Sequence, residues 1–251
     1  MSISNEIYSN LIYLLFYILR GGLMNKLILL ARKIENEILR EKVISFIENP
    51  ASTHSEIKES GISIKNSPAS IKRHHKYEGG LIEHTASVVT LSLKIAEALR
   101  ETYGIIPDSD LLISGAILHD LMKPQNYQTN NEKFDHVSDS NLEHLTLCVS
   151  ELYKRDFPLN VIKVVASHHG EHGPVSPDSI EAWIIHYADN IDASLNDIAV
   201  KICQARAREF GIDDSAIYKK VTPLKAYEMR SKSGKDKLKE FLKEQLEITE
   251  E

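Results

Sequence analysis

The chain has 251 residues, with 30 Lys+Arg against 36 Asp+Glu, a length that suits one large domain or two small ones and is ample for a real core. A hydrophobic share of 42% excludes wholesale disorder, and a net charge of −6 excludes a generic polyanion coat while leaving room for a local basic patch. Two cysteines, Cys148 and Cys203, make no disulfide framework and no CxxC is present to hold zinc, so a reduced, cytoplasmic protein is expected.

At the start, Leu11–Leu19 (LIYLLFYIL) is an unbroken apolar run closed by Arg20-Gly21-Gly22. It falls well short of the roughly 20 residues a membrane span needs, and it lacks the basic flank of a secretory signal. Residues 1–23 therefore read as an apolar leader: an extra packed helix, a weak interfacial anchor, or a stretch upstream of a true initiator at Met24. Leu27, Leu30, Ile34, Ile38, Val43 and Ile47 then recur at helical spacing until Asn49-Pro50. Residues 51–80 form a Ser-rich connection ending in Gly79-Gly80. A helix is expected from about Leu81 to Tyr103, with Gly104 as its stop. Asp108 or Ser109 caps the next, which runs to His119-Asp120-Leu121 before Pro124. Residues 125–134 read as loop, and helices follow at about 137–154 and 159–169. Ser176 as N-cap and Pro177 at the first position open the longest helix, with Val175 stapling against Ile180, and Gly211 lies past its end. Leu238, Phe241, Leu242 and Leu246 give the tail helical spacing among charges. No hairpin signal, sustained alternation or repeat is present, so the fold class is all-α. The expected layout is a leader (1–23), one helical domain (24–222) and a charged helical tail (223–251).

Histidine is the unusual entry in this composition: all but His54 lie between His74 and His186. His84 falls in the first long helix, His119 and Asp120 end the next, His144 is mid-helix, His168 and His169 close another, and Asp189 lies in the longest. Each step is about one helix plus loop, so antiparallel neighbours could return every ligand to one bundle core. Asp120 and Asp189 belong to strongly apolar segments, where an unpartnered carboxylate costs several kcal/mol, roughly. A divalent cation supplies the missing charge, and Asp120 has two oxygens with which to bridge two ions. His186 and Asp192 share a helix face with Asp189 and read as orienting or core groups.

The series His84, His119-Asp120 and Asp189 resembles the signature of the HD-domain metal-dependent phosphohydrolase superfamily, a helical bundle. His144 and His168 match the extra histidines of its binuclear members. The stretch from Pro68 to Thr85 (PASIKRHHKYEGGLIEHT) resembles the matching segment of the YhaM-type 3′-5′ exoribonucleases. So do HDLMKP at 119–124, Phe134-Asp135, EHLTL at 143–147, SHHG at 167–170 and HYADNIDA at 186–193. The resemblance covers about residues 65–200.

It implies that His84, His119, Asp120 and Asp189 bind one divalent ion and Asp120, His144 and His168 a second, drawn from Mn, Fe, Co, Ni, Zn or Mg. Asp120, Lys123 and His169 become the catalytic candidates, with Lys123 placed to meet developing negative charge and His169 to contact phosphate or the leaving oxygen. Arg73, His75, Lys76 and Tyr77 form a basic, aromatic-containing patch for substrate. The expected substrate is a nucleotide or short single-stranded RNA or DNA, cleaved in an exoribonuclease-like manner. Two departures matter. That branch usually carries an N-terminal OB-fold, whereas the region before residue 50 here reads helical, and Met122 stands where many relatives have Gly. The alternatives are a small-nucleotide phosphohydrolase and a non-catalytic metal or nucleotide sensor. No stable membrane span is expected, and self-association into a homo-oligomer is left open.

Overall fold

The computed structural model describes residues 24–57, 60–130, 133–137 and 142–248. The expectations for residues 1–23 lie outside them. The helices are α1 (24–31), α2 (Glu37–Glu48), α3 (Gly80–Tyr103), α4 (Ser109–Leu118), α5 (His144–Lys154), α6 (Leu159–Ala166), α7 (Ile180–Phe210), α8 (Asp214–Tyr218) and α9 (Pro223–Gln245). The fold is a helical bundle, and no helix among the described residues is long and apolar enough to cross a membrane.

The middle of the bundle is α4. Every residue from Leu111 to Leu118 is buried, with α2, α3, α6 and α7 packed around them. Gly115 makes this crowding feasible: a Cβ there would stand 2.7 Å from Val164 on α6 and 2.8 Å from Ile185 on α7. Because α4 lies that close to both helices, the His119-Asp120 pair at its C-terminal end faces the end of α6 and the middle of α7. A second apolar cluster joins Ile202, Cys203 and Ala207 of α7 to Ile217 of α8 and Leu238 and Leu242 of α9.

Several helix ends follow the sequence reading. Gly104 and Gly211 end α3 and α7 in left-handed conformations, and the Asp108 side chain accepts from the backbone of Asp110 and Leu111 to start α4. Others depart from it. The expected single helix over 27–47 is broken at 32–36, leaving Ile38 on the surface at 72% exposure. The cause comes from distant chain: the Asp110 carboxylate accepts from the backbone N–H groups of Glu35 (2.7 Å) and Asn36 (2.8 Å), and the Asn36 side chain caps α2. Asp110→Ala should lower stability by about 1–2 kcal/mol, because two charge-assisted bonds at a helix start are lost; urea unfolding at neutral pH measures it.

The stretch expected as loop over 125–134 holds an antiparallel hairpin, β1 (Tyr127–Asn130) with β2 (Lys133–His136), pairing Tyr127 with His136. Its strands are four residues long and Tyr127 alone of them is buried, so they carry no apolar alternation. The helix expected from 137 starts at His144, so His144 is a first-turn residue rather than a mid-helix one. The longest helix is capped by Ser179, which accepts from Ala182, and not by Ser176; Val175 is exposed.

Candidate metal centre

Six side chains from five stretches of chain converge around Asp120, which is itself buried. Its Oδ2 lies 3.4 Å from His84 Nε2, 3.3 Å from His119 Nε2 and 2.6 Å from Lys123 Nζ. Its Oδ1 faces the other way, 3.3 Å from His144 Nε2 and 3.8 Å from His168 Nε2. Asp189 Oδ1 closes the first group at 3.1 Å from His84 Nε2. The ligand atoms of His84, His119 and Asp189 lie within 4.8 Å of one another, as do those of His144, His168 and His169. One carboxylate thus presents an oxygen to each of two imidazole groups.

The outer nitrogen of each inward-facing ring is engaged. His84 Nδ1 is 2.6 Å from Asp192 Oδ2, His119 Nδ1 is 2.8 Å from the Ala116 carbonyl, and His168 Nδ1 is 2.8 Å from the Val165 carbonyl. His144 Nδ1 sits 2.9 Å from Glu143 Oε1. A carbonyl accepts and cannot donate, so His119 and His168 carry their proton on Nδ1 and turn the Nε2 lone pair to the centre. This is how metal-binding imidazoles are oriented. The Nε2 atoms of His84 and His119 approach to 3.4 Å. Asp120 Oδ1 and His144 Nε2 are buried without a hydrogen bond. Unshared electron pairs pointing at each other in a dry pocket are costly unless positive charge lies between them, so the donor set fits divalent cations.

The carboxylates of this pocket draw positive charge to it, as protons when no cation is bound. Burial opposes protonation of His84, but contact with Asp120, Asp189 and Asp192 overcomes it and holds its pKa well above the ordinary value. His144 is likewise raised against its burial by Asp120 and Glu143. Burial alone would raise Asp120, and Lys123 and His119 bring it well below the usual carboxylate range. Burial and neighbouring His119 push His168 well down, and burial with His144 lowers His169. Lys123 is raised despite burial by Asp120, Tyr127 and Asp189, so it stays charged.

The basic segment divides. Arg73 is exposed. His75 is buried behind His84: its backbone N–H donates to Asn196 Oδ1 at 2.6 Å, its Nε2 is 3.7 Å from Asp192, and its φ is +45°. The Lys76 ammonium is committed to Asp214 on α8 at 2.9 Å, and the Tyr77 hydroxyl donates to Glu83 while accepting from Asn196. The sequence reading passed over His74, whose half-buried ring lies 4.9 Å from that of His84; burial, then His84 and Lys123, push its pKa down to about 3. Glu143 was missed as well, although it immediately precedes a candidate ligand. His186, half-buried, has its Nδ1 2.8 Å from the His168 carbonyl and supports that turn from behind.

Comparison with known proteins bears on this geometry. The HD domain model matches residues 81–194, a span that holds His84 near its start and Asp189 near its end. A dihydroneopterin 2′,3′-cyclic phosphate phosphodiesterase of Methanocaldococcus jannaschii is 57% identical over 222 residues, covering 88% of this chain and 89% of that one. The chain belongs to the HD-domain family of metal-dependent phosphohydrolases. Among other HD-domain relatives, the YhaM 3′-5′ exoribonuclease of Bacillus licheniformis is 31% identical over 181 residues and that of Bacillus subtilis 33% over 168. The chain spans about half the length of these two, 56% and 52%, whereas it matches the phosphodiesterase almost end to end. No solved structure matches the chain.

Proposed function

We propose that this HD-domain protein is a small-molecule cyclic phosphodiesterase, opening the 2′,3′-cyclic phosphate of dihydroneopterin or a close relative of it. The observation that carries this reading is the 57% identity across nearly nine-tenths of both chains. It favours the small-nucleotide alternative over the exoribonuclease-like reading, which rests on weaker matches to about half of each exoribonuclease.

In this reading His84, His119, Asp120 and Asp189 hold one divalent ion, and Asp120, His144 and His168 hold a second, with His169 beside it. Imidazole-rich sets of this kind suit Mn, Fe, Co, Ni or Zn better than Mg. Such ions polarise phosphoryl oxygens and bring the pKa of water towards neutrality. Opening a cyclic diester forms one P–O bond to water and breaks one P–O bond within the ring, so the product leaves as a single phosphomonoester. Lys123 holds a fixed positive charge 2.6 Å from Asp120, where it meets negative charge growing on phosphoryl oxygen. His169 and His74, half-buried beside the two imidazole groups, supply neutral N–H donors for the remaining phosphate oxygen and for the oxygen released from the ring.

Asp192 orients His84, so Asp192→Asn should lower metal affinity or turnover by about 10–100-fold while the fold survives, read by metal titration alongside activity. The substrate reading is tested with dihydroneopterin 2′,3′-cyclic phosphate, 2′,3′-cyclic mononucleotides and a ladder of end-labelled oligoribonucleotides. Turnover of the small cyclic esters with an unshortened ladder is expected. Stepwise shortening of the ladder without cyclic ester turnover restores the exoribonuclease-like reading, and tight binding with no turnover of any substrate points to a sensor.

A further inference from the structure

Along α7, Tyr187, Ile191, Leu195 and Ile198 follow one another at helical spacing and are 55%, 42%, 47% and 46% exposed. The solvent side between them adds Asn190 and Ser194, so this stretch of surface carries no charge. Large apolar side chains in a row without a charge have the composition of an interface core rather than of a wetted face. The two ends of the stripe differ in shape. At one end Trp183 and Tyr187 stack, with ring centroids 5.7 Å apart and planes 22° apart, and form an aromatic ridge. At the other, a groove of about 520 Å³ runs between α7 and α9, lined by Ile198, Lys201, Ile202, Ala205, Tyr227 and Arg230.

We propose that this face pairs with the same face of a second copy across a two-fold axis, α7 against α7 and antiparallel. With the axis between Ser194 and Leu195, Ile191 meets Ile198 of the partner subunit and Tyr187 meets Ile202 of the partner subunit. Tyr187 and Ile202 then lie equally far from the axis, about 11 Å along the helix on either side. Each ridge therefore enters the partner's groove, a self-complementarity that a two-fold interface requires and an unrelated apolar ligand does not. The charges agree. Exposed Arg208 and Arg230 flank the groove end, where Lys201 is paired with Asp197, while Glu181 flanks the ridge end, so the antiparallel arrangement sets Arg208 against Glu181 of the partner subunit. Arg230 of the partner subunit also reaches the Trp183–Tyr187 rings, a favourable cation–π placement.

The test is light scattering on the full chain at about 100 μM, where even micromolar self-affinity saturates. A mass of twice 28.4 kDa is expected, falling to that of one chain in Ile191→Glu and in Leu195→Glu with unchanged circular dichroism. Trp183 is the sole tryptophan, so dilution of the unaltered protein should shift its emission to the red. Arg230→Glu should weaken self-association at least tenfold. A single-chain mass for the unaltered protein overturns the proposal, and if removal of residues 1–23 then shifts Trp183 emission, the chain's own N-terminal segment covers the face. A dimer that survives both glutamate substitutions overturns it equally, because the pairing then uses another surface.

Discussion

Asp120→Asn is expected to abolish phosphohydrolase activity and to strip bound metal from the protein while leaving its helical content intact. The reason lies in the division of labour between the two carboxylate oxygens. Oδ2 addresses His84, His119 and Lys123, and Oδ1 addresses His144 and His168. An amide in the same place loses the negative charge and turns a donor NH2 towards one of the two imidazole groups, so both are damaged by one substitution. Losing the electrostatic stabilisation that a bound ion gives the transition state is expected to lower kcat/KM by at least about 10²–10³, each tenfold being 1.36 kcal/mol. Asp189→Asn touches His84 alone among the imidazoles at bonding range, from a partly exposed position, and should be milder. Elemental analysis beside steady-state kinetics reads both effects. Full activity with Asn at position 120 would remove the basis for the metal-dependent mechanism.

Gly80→Ala should be nearly as damaging, through geometry rather than charge. Gly80 is the first residue of α3, and a Cβ there would stand 2.2 Å from the His75 carbonyl oxygen and 2.9 Å from its carbon. Backbone atoms at that distance must move, and His75 has little freedom to do so. Its carbonyl accepts from Ala69, its N–H donates to Asn196, and its φ of +45° already lies in the left-handed region. Overpacking of this kind costs about 1–3 kcal/mol or more, which lowers Tm by about 2–12 °C in a chain this long. Any relief by shifting the start of α3 also carries His84, one turn further on, out of register with Asp120 and Asp189. Thermal unfolding and turnover should fall together; an unchanged Tm with full turnover would show that the loop over 68–79 yields more easily than its hydrogen bonds indicate.

The Gly79-Gly80 pair was visible in the sequence as punctuation, but its reason was not, because the atoms it accommodates belong to a turn five residues away. The same contrast runs through the rest of the molecule. Local chemistry was readable: Asp108 starting α4, the glycines that end α3 and α7, and a series of candidate ligands spaced by one helix plus loop, whose side chains the structure gathers around Asp120. Features decided by distant chain were not. The break at 32–36 depends on a carboxylate from Asp110, and the α7 start depends on Ser179 rather than the stronger-looking Ser176-Pro177 pair. The hairpin at 127–136 buries too little to leave a pattern. In the basic segment, residue type alone could not separate His74, whose ring lies over His84 with part of its surface still exposed, from His75, which is folded behind it, nor show that Lys76 is spent on Asp214.

The burial of α4 from Leu111 to Leu118 has a consequence for how the centre meets its ligands. Eight consecutive residues with no solvent face open only when the bundle around them opens, so His119 and Asp120, which follow directly, are mounted on the part of the molecule that yields least. His74, by contrast, comes from a looped stretch with part of its ring exposed, and His168 and His169 from the turn after a short helix. Accommodation to different ions or substrates therefore falls to these flanking turns, while the shared carboxylate acts as a fixed datum from which both halves of the site are measured.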